Sequence, residues 1–147
     1  MFKFDIKLDY ADLTMELKKS MRRSTEEAKR IIKEYTNKTK RDAKLNAQKF
    51  ADTGYLMRQI ASRIEDAGLA GIVQAHADYS PHVEHGHMVY KGQLFPVYDK
   101  TRLVGFRRVK ETRFIPGKYF MKKAYDDNLD GFIQDMTDKP LSHFNAK

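Results

Sequence analysis

From Leu13 to Phe50 apolar residues return at steps of three, four and seven: Leu13, Leu17, Met21, Ala28, Ile31, Ile32, Tyr35, Ala43, Ala47 and Phe50. That spacing keeps one helical face apolar over nearly forty positions. An unbroken helix over 10–51 would be ~60 Å long at ~1.5 Å per residue, which exceeds the width of one domain built from 147 residues. Thr36, Asn37 and Thr39 are poor helix-interior residues, because they are β-branched or compete for backbone hydrogen bonds. The pattern therefore predicts a break or bend near Tyr35-Thr36-Asn37. The alternative is one long helix that projects beyond its domain to meet a neighbour.

The same segment carries the charge. Residues 18–49 hold Lys18, Lys19, Arg22, Arg23, Lys29, Arg30, Lys33, Lys38, Lys40, Arg41, Lys44 and Lys49, opposed only by Glu26, Glu27, Glu34 and Asp42. The net charge of the whole chain is +8, so this stretch accounts for the imbalance. A concentrated positive field attracts something negative: nucleic acid, an acidic protein surface, or only water. Arg22, Arg23, Lys29 and Arg30 are the candidate anionic-partner surface, with Arg107 and Arg108 from a second basic cluster further on.

Around this segment the coarse elements follow from periodicity and turn residues. Phe2, Phe4, Ile6 and Leu8 alternate with charged residues and predict a strand with one buried face. Asp9 or Asp12 suits a helix N-cap. Asp52-Thr53-Gly54 reads as a turn, Tyr55 to Glu65 as strand-like, Asp66-Ala67-Gly68 as a second turn, and Leu69 to Ala77 as the return strand of a hairpin. Pro81 fits the first turn of a short helix beginning at Tyr79 or Ser80, and Gly86 fits its end. Val89 to Val97 and Leu103 to Phe114 predict a second hairpin about Tyr98–Arg102. Lys118 to Met136 repeats at helical spacing. The expectation is an α+β fold: one domain over 1–138, with a small antiparallel sheet on which a long N-terminal helix and a C-terminal helix pack. Residues 139–147 are expected to form a flexible tail.

Several chemistries are poorly served. Cysteine is absent, which rules out disulfides and thiolate metal sites and suits a reducing cytosol. No run approaches the ~20 apolar residues of a membrane span, and the first residues lack a signal-peptide pattern. No serine lies in a G-x-S-x-G elbow, and the glycines are too scattered for a phosphate loop. Asp126, Asp127 and Asp130 read as a solvated helix face rather than a catalytic pair. His76, His82, His85 and His87, with Asp78 and Glu84 close by, are suited to zinc or manganese by residue type. Their spacing fits no metallohydrolase pattern, and a histidine-rich surface turn explains them. No catalytic residue, metal or cofactor is expected. Neither a helix-turn-helix nor an RNP-type aromatic pattern accompanies the basic residues.

Three blocks in fixed order carry a resemblance. They are Thr53-Gly54-Tyr55-Leu56-Met57-Arg58-Gln59-Ile60, then Tyr79-Ser80-Pro81-His82-Val83-Glu84-His85-Gly86-His87, then Pro116 to Ala124. Their order resembles the tail-completion, or head–tail joining, family of long-tailed bacteriophages, whose members tend to read T-G-x-L-x-x-S-I, Y-A-P-Y-V-E-F-G-T and R-P-F-L-x-P-A. The matching positions are Thr53, Gly54, Leu56, Tyr79, Pro81, Val83, Glu84 and Gly86. The third block keeps only a Pro, an aromatic and the Ala. At His82, His85 and His87 the family has two aromatics and a Thr, which makes these histidines local variation.

The resemblance implies a non-enzymatic structural protein of the virion, assembled in the host cytoplasm. It would form a homo-oligomeric ring at the neck, dock on other neck or tail proteins, and touch DNA weakly if at all; no membrane is involved. The hairpin near residues 89–113 is the candidate inter-subunit arm. The alternative from another class is a basic nucleic-acid-binding module. Glu84 is expected to tie down backbone N–H groups or to pair with a basic residue.

Overall fold

The computed structural model describes residues 15–50, 54–99, 102–142 and 144. The expected strand over Phe2 to Leu8, the cap at Asp9 or Asp12, and Thr53 lie outside the described residues.

Helix α1 (Met15–Gln48) runs without a break for 34 residues, about 51 Å at ~1.5 Å per residue. The predicted break at Tyr35-Thr36-Asn37 is absent, and the segment is one continuous helix. Tertiary contacts override the weak local propensity. The Thr36 hydroxyl donates back to the Ile32 carbonyl at 2.6 Å. Tyr35 packs edge-on against Phe132 at 5.6 Å and donates its hydroxyl hydrogen to Asp135 Oδ2 at 3.1 Å. Among the described side chains of α1, burial begins only at Ile31 and continues at Ile32, Thr36, Ala43 and Ala47. The first half of the helix therefore stands clear of the core.

Helix α4 (Phe120–Ser142) is the main partner of α1. Phe120, Ala124 and Asn128 are buried along the facing stripe. The small Ala43, Ala47 and Ala124 let the two helices approach closely. Asn128 donates to Asp42 Oδ2 and to the Ala124 carbonyl, both at 2.8 Å, so this polar group enters the seam with its donors used. The helix runs on through Lys139 to Ser142, with Pro140 buried. Those four residues were expected in the tail; they belong to the helix.

Among the described residues the strands form three antiparallel two-stranded ladders, so the fold is α+β. Tyr55 to Glu65 is not one strand. Tyr55–Arg58 is a single helical turn, α2, entered through Gly54 at φ +68, and strand β1 (Ile60–Glu65) follows. β1 pairs with β2 (Ala70–Ala75) across the Asp66–Gly68 turn, in the register Ile60↔Ala75 to Glu65↔Ala70. This hairpin lies on α1. Gly71 meets the Thr36 side chain so closely that a Cβ there would collide with the hydroxyl.

After α3 (Ser80–His85) the chain makes one long interrupted ribbon. Its base is β3 (Gly86–Val89) paired with β6 (Arg113–Pro116), and its distal part is β4 (Leu94–Asp99) paired with β5 (Arg102–Arg108). Between them Gly92 donates to the Val109 carbonyl at 2.9 Å and Val109 to the Gln93 carbonyl at 2.8 Å. The expected second hairpin is present, but it is longer at both ends. Tyr98, Asp99 and Arg102 are strand rather than turn, and a register shift falls at Val97/Tyr98.

Candidate functional site

Leu56 (2% exposed), Ile60, Ala77, Phe120 and Ala124 share one core cluster with Ala43 and Ala47 of α1, and Val83 packs against it. The three sequence blocks, far apart in the chain, thus meet at one corner. Tyr55 from the first block and Tyr79 from the second bring their rings to 6.2 Å.

Glu84 is the polar centre of this corner. It is 8% exposed. Its carboxylate accepts the backbone N–H of Met121 through Oε2 and of Lys122 through Oε1, each at 2.9 Å. The first N–H groups of a helix have no partner inside the helix, and that end carries partial positive charge. A buried carboxylate placed there is hydrogen-bonded and electrostatically compensated at once. Of the two roles foreseen for Glu84, backbone capping is the one found.

The backbone of α3 completes the clasp. The Lys118 N–H donates to the Val83 carbonyl at 2.7 Å and the Tyr119 N–H to the Glu84 carbonyl at 3.1 Å. Gly117 lies against Glu84, where a Cβ would strike the Glu84 carbonyl oxygen. Gly86 ends α3 at φ +85 and ψ 173. That is the extended positive-φ region, which is essentially restricted to glycine. A Cβ at Gly86 would also meet the Ile115 carbonyl oxygen. Tyr119 takes φ +50, unusual for an aromatic residue, one step before α4 begins. Pro81 lies in the first turn of α3, where it breaks no hydrogen bond.

The histidines do not converge. The rings of His82 and His87 lie 5.2 Å apart and tilted by 57°, and His85 meets Tyr119 edge-on at 6.3 Å. Among the described residues no group of three or more His, Asp or Glu side chains is arranged to hold a metal ion.

The basic candidates are scattered as well. Arg30 is clamped by Glu27, with Nη2 to Oε1 at 2.6 Å, and Lys29 pairs with Glu26 at 3.3 Å. The bond to Glu27 pushes the Arg30 pKa up. Arg22 and Arg23 are exposed and have no ion pair among the described residues. Arg107 and Arg108 are exposed on β5, which packs chiefly on β4, whereas α1 packs on α4, α2, β1 and β2. The two sets do not form one surface.

Sequence reasoning missed two features. One is the polar seam of Asn128–Asp42 and Tyr35–Asp135, which pattern reading passes over because each partner is an ordinary helix residue until the helices meet. The other is an open apolar cleft of about 640 Å³ between α1, α4 and β2, lined by Ile32, Tyr35, Leu69, Val73, Phe132 and Met136 among others. The distal ribbon also exposes Leu94, Tyr98, Leu103, Val104 and Phe106. No described helix is long and apolar enough to cross a membrane. No family model matches the chain, and no curated protein or solved structure matches it.

Proposed function

We propose that this chain is a structural virion protein of a long-tailed bacteriophage. In this reading it acts at the neck, completing the tail end or joining tail to head. It assembles as a homo-oligomeric ring in the host cytoplasm and docks on adjacent neck or tail proteins. One observation carries the reading. The three ordered blocks meet at a single corner whose buried acid, Glu84, is spent on the backbone of α4. Motif residues used in this way maintain a shape; their chemistry is structural. The exposed apolar side chains of the distal ribbon agree, since contiguous apolar surface marks an interaction site.

Particles assembled without the protein are the test. Electron microscopy is expected to show full heads and finished tails that are not joined. Normal infectious particles in its absence would end the proposal.

The second reading, a nucleic-acid-binding module, is favoured by Arg22 and Arg23, which stand exposed on the half of α1 that is clear of the core. Lys29 and Arg30 weaken it, because both already hold glutamates.

A further inference from the structure

One face of the ribbon is concave and cationic. Cross-strand partners share a face, and residues two apart along a strand do too. In the base of the ribbon the register sets His87 and Val89 with Ile115 and Arg113. In the distal part it sets Phe95 with Arg107. These six residues line a single cavity of about 810 Å³, joined by Val109, Lys110 and Glu111 from the link between β5 and β6. Val89 is buried, and Phe95, Val109 and Ile115 are half-buried, so together they make an apolar floor. Arg107, Lys110 and Arg113 are exposed around it. Arg108 also borders the cavity, but the register turns its side chain with Leu94 to the opposite face, so it does not count among these cations.

The three cations are unspent. Arg107, Lys110 and Arg113 hold no ion pair among the described residues, and neither does Glu111, the one acid of the cavity. Lys29, Arg30, Lys122 and Lys139, by contrast, each hold a carboxylate. The same wall contains an unmet polar atom. His87 Nδ1 is buried and has no hydrogen-bond partner among the described residues, although buried polar atoms normally have one.

Three cations against one acid, set about an apolar floor, call for an anion with a flat apolar part. An unpaired nucleic-acid strand has that chemistry, since its backbone follows a positive groove while its bases stack on aromatic rings. Phe95 lies directly across the ladder from Arg107, so a base on the ring brings its phosphate toward the guanidinium. A duplex keeps its bases paired and offers none to Phe95. An acidic peptide satisfies the arginines alone. The net charge of +8 adds a long-range pull on any polyanion.

We propose that this concave face binds an unpaired stretch of nucleic acid, with Arg107, Lys110 and Arg113 on its phosphates and Phe95 under a base. The site lies on the ribbon, apart from Arg22 and Arg23 of α1, and stands whether or not the chain assembles at a phage neck.

The test is fluorescence anisotropy of a short labelled oligothymidylate titrated with the whole chain across a salt series. Single strands give a log–log slope of about −0.7 per phosphate neutralised, so three cations predict a slope of about −2. Arg107→Gln combined with Arg113→Gln, both at exposed positions, is expected to keep the parental melting temperature and bring the slope to about −0.7. Phe95→Leu keeps the floor apolar and is expected to weaken binding about tenfold at an unchanged slope, as loss of one stacked base does.

Several outcomes overturn the site. A parent that binds no oligothymidylate at low salt would remove it. Parental affinity and slope in the double Gln variant would put the anion elsewhere. Tighter binding of the same strand paired with oligoadenylate would mean that the field of the chain, and not this face, holds DNA. Displacement by polyglutamate at equal charge would make the partner an acidic protein surface. Thymidine monophosphate competing as well as the strand would make the ligand a free nucleotide.

Discussion

Glu84 accepts the backbone N–H of Lys122 at 2.9 Å across 38 positions of sequence. The bond ties the end of α3 to the first turn of α4, so the motif turn and the C-terminal helix form one rigid corner. Removing the carboxylate leaves the Met121 and Lys122 N–H groups unpaired. Loss of a helix-capping side chain typically costs about 1–2 kcal/mol, so Glu84→Ala is predicted to lower the melting temperature by about 5 °C. Glu84→Gln, which keeps an acceptor oxygen, should lose less. Thermal unfolding followed by circular dichroism checks the order, and an Ala variant as stable as the parent would show that the cap contributes nothing.

Gly86 is predicted to be the least replaceable residue of the motif turn. Any Cβ meets the Ile115 carbonyl oxygen, and φ is +85. Strain and overpacking each cost about 1–3 kcal/mol, so Gly86→Val should melt about 10 °C below the parent. His85→Ala should change little, since His85 is exposed and meets Tyr119 only by its ring edge. Equal melting temperatures for Gly86→Val and the parent would contradict this turn geometry.

Stability should fall at both ends of the pH scale through Tyr35, Asp135 and Lys139. The bond from Lys139, then that from the Tyr35 hydroxyl, holds the Asp135 carboxyl below its ordinary range. Its stabilising contribution is present above about pH 4 and is lost as pH falls through the lowered folded value. Burial, then the bond to Asp135, pushes the Tyr35 hydroxyl up. That contribution is present below about pH 10 and is lost as pH rises through the raised value. Urea midpoints measured across pH are predicted to show a plateau between these limits. Asp135→Asn should remove the acid limb, and Tyr35→Phe should flatten the alkaline one. Midpoints in Tyr35→Phe that follow the parent at every pH would exclude this linkage.

Replacing Arg22, Arg23, Lys29 and Arg30 by Gln separates a docking surface from a DNA reader. A duplex-binding protein loses affinity steeply with salt, with a log–log slope of about −0.9 per phosphate neutralised. Lys29 and Arg30 already hold Glu26 and Glu27, so Arg22 and Arg23, which hold no ion pair among the described residues, should contribute most of such a slope. The predicted outcome is a folded variant with unchanged, weak DNA binding that fails to join particles. Tight duplex binding by the parent at physiological salt, abolished in the variant, would favour the nucleic-acid module.

Apolar periodicity made α1 and α4 legible, because one face of each helix is buried and the period of that face survives in the sequence; the two hairpins were legible from their turn residues and the strand-like runs that flank them. Helix continuity at Thr36 was not legible. The residues that hold it, Phe132 and Asp135, lie about a hundred positions away and have no local signature. The short helix at Tyr55–Arg58 was missed because four residues give no period to read. The Glu84 cap was legible only as a choice between backbone and basic side chain, and the placement of α4 settled it. The cleft was invisible, since a concave surface belongs to the arrangement of elements rather than to any one of them.

The register shift at Val97/Tyr98 bears on how the ribbon survives in solution. A two-stranded ribbon has two open edges, and each invites endless strand addition by other chains. Here the shift sets Val104 outside the paired register and increases the local twist. Pro96 offers no N–H to an incoming strand, and arginines are spaced along β5. An unmatched register, a missing donor and repeated positive charge all interrupt a growing ladder. These features oppose fibre formation along the edges of the ribbon and leave its broad face exposed.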